Sequence, residues 1–207
     1  MRHLKLLHYF IFVILLVGSS SARADISEAR DVLLTTVHQI YSDLDGSHST
    51  DDELRSAAEE VIRLKVLPVL NVEMFSKLIL ASHWKKTSAE QRAKFQDVLT
   101  GFLIRTFAQA IASDHNRFQE FMNQISIESA RPGRNENRAV IPMSIMTDAG
   151  VVTLDFRMAR YESDWLLYDV VFQGVSFAIN YRTILKSEIS KYGIDKVTED
   201  LEAKLSI

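Results

Sequence analysis

Trp165-Leu166-Leu167-Tyr168-Asp169-Val170-Val171-Phe172 reads as a β-strand built from aromatic, branched and aliphatic residues with a single charge. A strand covered on one side alternates apolar and polar positions, whereas this one is apolar on both faces and so needs apolar cover on two sides. The segment continues through Gln173-Gly174-Val175 into Ser176, a residue suited to capping a helix.

Working outward, Ile125 to Ser129, Arg138 to Met146 and Val151 to Ala159 also read as strands, separated by Arg131-Pro132-Gly133 and Asp148-Ala149-Gly150. With the opening segment they make about four strands in meander order. Asp148-Ala149-Gly150 and Glu162-Ser163-Asp164 are short enough for hairpin turns, which predicts a mainly antiparallel sheet.

Helices flank these strands. Ile26, Ala29, Val32, Leu33, Val37, Ile40 and Tyr41 fall at helical spacing, and Asp45-Gly46-Ser47 ends the run. Thr50-Asp51-Asp52-Glu53 matches a capping box for a second helix through Val61, Ile62 and Leu64, with Pro68 forcing a break or kink. A short helix is expected from Val72 to Ala81. Thr87-Ser88-Ala89-Glu90 reads as another capping box, opening a long helix whose wide face carries Phe95, Val98, Leu99, Phe102, Leu103, Phe107, Ala110 and Ile111. Asp114-His115-Asn116 should end it, with a shorter piece following through Phe118 and Phe121. After the strands, helix returns from Ser176 to about Tyr192, with Gly193 as a C-terminal cap, and again from Asp195 to about Leu205. Helices, antiparallel strands, then helices is an α+β order, in which helices pack on a face of one curved sheet.

At the N-terminus, Arg2 and Lys5 precede an apolar run from Leu6 to Val17, and Ala22-Arg23-Ala24 fits a cleavage site. This is the pattern of an export signal peptide, 1–24, cleaved after Ala24, and 25–207 would then be a single domain of 183 residues. Removing Arg2, Lys5 and Arg23 from the 24 basic residues leaves 21 against 27 acidic ones, a net charge of −6. That balance argues against nucleic acid as a partner. The chain has no cysteine, which excludes disulfides, thiolate metal sites, a cysteine nucleophile and acylation at a cysteine.

Catalytic and metal constellations are thin. His38, His48, His83 and His115 are scattered without ligand spacing, so no metal site is expected. Gly174-Val175-Ser176-Phe177-Ala178 resembles a nucleophile elbow without its last glycine, but the strand pattern lacks the parallel sheet an elbow needs, and Ser176 reads as a cap. The enzyme alternative is a cone-shaped α+β fold that places Asp169 or Tyr168 in an apolar cavity to move protons. Neighbouring strand residues point to opposite faces, so the two do not readily share a pocket, and Asp169 reads as a hydrogen-bonded structural group. The cationic groups Lys85, Lys86, Arg92 and Lys94, and Arg131, Arg134 and Arg138, read as solvated surface. What remains is surplus apolar surface: the helix face from Phe95 to Ile111, Phe75 with Leu78, and the strand residues Val152, Leu154, Phe156, Tyr168, Val170 and Phe172.

Pro68, the segment Phe75-Ser76-Lys77-Leu78-Ile79-Leu80-Ala81-Ser82-His83-Trp84, Thr87 to Arg92, Phe95, Trp165, Tyr168-Asp169-Val170, Gly174-Val175-Ser176, Tyr181-Arg182 and Gly193-Ile194-Asp195 together resemble the toluene-tolerance or MlaC family of periplasmic phospholipid-binding proteins. Two departures stand out. Leu80-Ala81-Ser82 replaces the usual Leu-Gly, so the local turn is expected to differ, and Val69-Leu70-Asn71-Val72 lacks the family's acidic residue. The resemblance implies a shuttle without enzymatic activity or cofactor. It would carry phospholipid between an outer-membrane lipoprotein and porin complex and an inner-membrane ABC transporter with an MCE-type ring. Exposing about thirty methylenes of two acyl chains to water would cost on the order of 24 kcal/mol, so the carrier needs an apolar pocket. The implied lipid-binding residues are Phe75, Leu78, Phe95, Leu99, Phe102, Leu103, Phe107, Val152, Leu154, Phe156, Tyr168, Val170 and Phe172, with the Tyr168, Val170 and Phe172 side of the strand facing lipid. The head group is expected near the opening, and with a solvated phosphate and no glycine-rich anion loop in the chain, head-group selectivity is expected to be weak.

Overall fold

Thr147 pairs with Gly150 and Tyr161 with Asp164, so both long hairpins turn over two residues, as the short polar linkers predict. The computed structural model describes residues 25–44, 50–113, 120 and 122–205. The expectations for 1–24, Asp45-Gly46-Ser47, Asp114-His115-Asn116, Phe118 and Phe121 lie outside these residues.

The sheet contains β1 (Ile125–Ile127), β2 (Arg131–Pro132), β3 (Arg138–Thr147), β4 (Gly150–Tyr161), β5 (Asp164–Phe172) and β6 (Val175–Ser176). All neighbours run antiparallel in the order β1-β3-β4-β5-β6, and β2 also pairs with β3. The four expected strands are therefore present, together with two strands of two residues each. One of these, β2, falls where only a separator was read, because Arg131 and Pro132 continue the pairing along the β3 edge at Val140 and Ala139.

Helix α1 (Ile26–Leu44) and helix α2 (Asp51–Val61) match their sequence patterns, and the Thr50 side chain accepts the Glu53 N–H at the start of α2. Beyond Val61 the α-helical ladder fails. Pro68 has no N–H to offer and crowds the carbonyl four residues back. The chain widens into a π-helical turn at Ile62–Val66, where the Leu67 N–H reaches the Ile62 carbonyl, and then tightens into a 3₁₀ turn at Leu67–Val69. Helix α3 (Val72–Leu80) is capped by the Asn71 side chain, which accepts the Met74 N–H at 2.8 Å.

At Ala81 the backbone takes φ 48° and ψ −114° before a 3₁₀ turn at Ala81–Lys86. The turn that glycine would favour is kept, with alanine holding the strained conformation.

Helix α4 (Ala89–Ala112) opens on a capping box made by Ser88 and Gln91, rather than by Thr87 and Glu90. Thr87 is already engaged: its hydroxyl donates to the Trp84 carbonyl and accepts from Arg92. Helix α5 (Phe177–Ala203) starts on the Ser176 cap and is broken at Gly193, whose φ of 84° separates two helical halves as the sequence predicts.

Buried apolar residues form three clusters. One joins α3, α4 and α5 through Phe75, Ile79, Phe95, Leu99, Leu185 and Ile189. A second joins α1, α2 and α4 through Leu44, Leu54, Ala58, Ile104 and Ala108. The third packs Ala29 and Leu33 of α1 on Ala139, Ile141, Met158 and Trp165 of the sheet.

Candidate functional site

Where the three clusters would meet there is a cavity of about 370 Å³, within the roughly 300–1,000 Å³ range of small-molecule sites. Each cluster contributes to its wall: Phe75 and Leu103 from the first, Leu44, Val61, Ile62 and Ile104 from the second, and Val37, Phe156 and Leu167 from the third. The lining surface is wholly apolar. Asp169, the one charged residue on the wall, presents no polar surface to it.

Of the residues singled out from sequence, Phe75, Leu103, Phe107, Leu154, Phe156 and Val170 come together on this wall. The other seven lie elsewhere. Phe95 and Leu99 are buried in the α3–α4–α5 cluster, with Leu78 and Phe102 packed against it. Phe102 meets the ring of Tyr181 edge-on at 6.2 Å, and burial pushes the Tyr181 phenol above its ordinary pKa. Val152 pairs with Ile145 away from the cavity lining, and Phe172, opposite Leu154, is 43% exposed.

Tyr168 leaves the cavity for a specific reason. Arg157 pairs with Asp169 but Met158 pairs with Leu167, so the register shifts by one residue and Tyr168 has no partner across the ladder. Such a bulge resets the alternation. Leu167, rather than Tyr168, shares the cavity side with Val170, and Tyr168 instead lies beneath the Arg138 guanidinium, 4.7 Å from its ring centre.

Asp169 has the structural role that its sequence position suggested. It is 2% exposed and accepts hydrogen bonds from Ser176 Oγ at 2.7 Å, the Ala178 N–H at 3.1 Å and Arg157 at 3.0 Å. Ser176 Oγ in turn accepts the Ile179 N–H at 3.1 Å. Both roles of this hydroxyl are spent on tying β5 to the start of α5, and Tyr168 does not join Asp169 on the cavity wall. Among the described residues, no cluster of His, Asp and Glu is arranged to hold a metal ion.

Sequence reasoning missed most of the helical wall. Val37 and Ile40 of α1, Val61 at the end of α2, and Ile62, Val66, Leu67 and Leu70 along the irregular stretch all line the cavity, as do Met122, Ile125 and Phe177. The usable signal was the dense apolar content from Val61 to Leu70 around Pro68, which exceeds what one amphipathic face requires. This stretch is anchored where Leu70 bridges Leu167 and the Asn71 N–H donates to the Leu167 carbonyl at 2.7 Å. Near the other end, the rings of Phe107 and Phe177 stack with centres 6.4 Å apart.

A more polar groove of about 470 Å³ adjoins the cavity between α1 and β1, and Val37, Met122 and Ile125 line both.

The family model described as MlaC protein matches residues 35–203. The intermembrane phospholipid transport system binding protein MlaC of Haemophilus influenzae is 25% identical over 204 residues, spanning 96% of this chain and 92% of its own length. A solved structure of a phospholipid-binding protein from Ralstonia solanacearum, in complex with a phospholipid, matches with a TM-score of 0.72 at 19% identity, covering 87% of this chain and 99% of that one. The latter likeness is one of fold.

Proposed function

The chain belongs to the MlaC protein family, and from that premise we propose that it is a phospholipid carrier working between two membranes. The observation that carries this reading is the cavity, whose apolar wall fits acyl chains and offers no group for chemistry on them. Burying the tails offsets about 0.8 kcal/mol for each methylene otherwise exposed to water. The carrier's work is thus the removal of hydrocarbon from solvent, with no covalent bond made or broken.

The finer assignments follow the same reading. Residues 1–24 act as an export signal and 25–207 as the carrier domain, which operates in the periplasm. Its partners are an inner-membrane ABC transporter with an MCE-type ring and an outer-membrane lipoprotein and porin complex. The acyl chains contact Phe75, Leu103, Phe107, Leu154, Phe156 and Val170, together with Leu167, Phe177 and the wall from Val61 to Leu70.

Solvent extraction of protein purified from its own compartment, followed by mass spectrometry, tests the proposal. Phospholipid in a fixed ratio to protein is the expected result. Repeated recovery of lipid-free protein would overturn it.

A further inference from the structure

A phospholipid is amphipathic, so a wholly apolar cavity can hold only part of it, and the phosphate must lie outside that cavity, in water or against polar groups at its border. The α1–β1 groove adjoins the cavity through Val37, Met122 and Ile125 and brings Arg30, His38, Tyr41 and Ser126 to its wall. Arg30 is held in place from one side: Nε–H donates to the Glu128 carbonyl at 2.9 Å and Nη2–H to the Ile127 carbonyl at 3.1 Å. Those bonds use only part of its five-donor fork. Among the described residues no carboxylate pairs with it, and the side chains of His38, Tyr41 and Ser126 make no hydrogen bond. An uncompensated guanidinium beside unengaged hydroxyls, bordering an apolar cavity, suits a bound phosphodiester.

We propose that this groove is the head-group subsite, in which Arg30 and Tyr41 contact the phosphodiester of a glycerophospholipid whose tails occupy the cavity. The inference rests on the carrier reading above and adds to it a defined place for the phosphate. Selectivity between phospholipids and uncharged lipids then originates in side chains of α1, with no glycine-rich loop required.

The test uses the full folded chain stripped of lipid and offered three probes: phosphatidylglycerol, diacylglycerol with the same acyl chains, and inorganic phosphate. Arg30→Gln keeps a donor for the Ile127 and Glu128 carbonyls while removing the charge. It should weaken phosphatidylglycerol binding about tenfold and leave diacylglycerol binding unchanged. Tyr41→Phe, a milder change that guards against misfolding, should shift the same ratio in the same direction by less. Equal losses for both lipids, or no loss in either variant, would overturn the groove assignment. So would an Arg30-dependent affinity for inorganic phosphate with lipid binding unaffected, since that result marks a free-anion site. Failure of the unaltered chain to retain either lipid would instead bring down the carrier reading itself.

Discussion

Asp169 and Ala81 show how single residues hold the site's frame. Asp169 is a buried carboxylate with three donors, from Ser176, Ala178 and Arg157. Replacing it by alanine leaves a buried hydroxyl and an N–H without their acceptor, so Asp169→Ala should cost about 2–4 kcal/mol in urea unfolding. An unchanged midpoint would mean the network contributes nothing. Ala81 holds a positive φ that favours glycine, and Ala81→Gly should stabilise the fold by about 1 kcal/mol, read as a raised melting temperature. At this scale much was legible: the buried role of Asp169 and the caps at Thr50 and Ser176 leave a mark in residue type, whereas the positive φ at Ala81 does not, because alanine gives no sign of a conformation that favours glycine. The side on which Tyr168 lies was not legible. A bulge shifts every later strand position by one, and Tyr168-Asp169 contains no glycine or proline to announce it.

At the scale of the element, α4 illustrates a limit of amphipathic reading. Its apolar positions read as one wide face, but along its length they serve three partners: Phe95 and Leu99 pack with α3 and α5, Ile104 and Ala108 pack with α2, and Leu103 and Phe107 line the cavity. Periodicity reports that a face is buried and is silent about which neighbour buries it. The assignment can be tested by placing a charge at different points on that face. Phe107→Glu, at a partly exposed wall position, and Val170→Glu on β5 should each reduce co-purified phospholipid about tenfold or more. Phe102→Glu, on the Tyr181 side, should leave the load of the folded fraction near normal. Equal lipid loads in all three variants, measured by mass spectrometry with circular dichroism as the folding control, would refute this division.

For the whole molecule, the α+β order, the antiparallel meander and the break at Gly193 followed from the pattern of hydrophobic residues, because periodicity, turn chemistry and caps all agreed. The cavity did not follow. Filled and hollow interiors demand the same apolar residues, and only the family resemblance distinguished them in advance. Occupancy should couple to stability: lipid at a hundredfold excess over Kd adds about 2.7 kcal/mol, or roughly 5–10 °C in a domain of this size. A melting temperature that does not change on stripping would show that the cavity is not the cargo site. The division of the core into three clusters around a void has a mechanical consequence as well. Each wall is packed within itself, so removing the cargo leaves a hollow interior rather than a collapsed one, and unfolding then eliminates that volume. Hydrostatic compression should therefore unfold the stripped protein at markedly lower pressure than the loaded one, making the unfolding pressure a direct gauge of whether the carrier is full or empty.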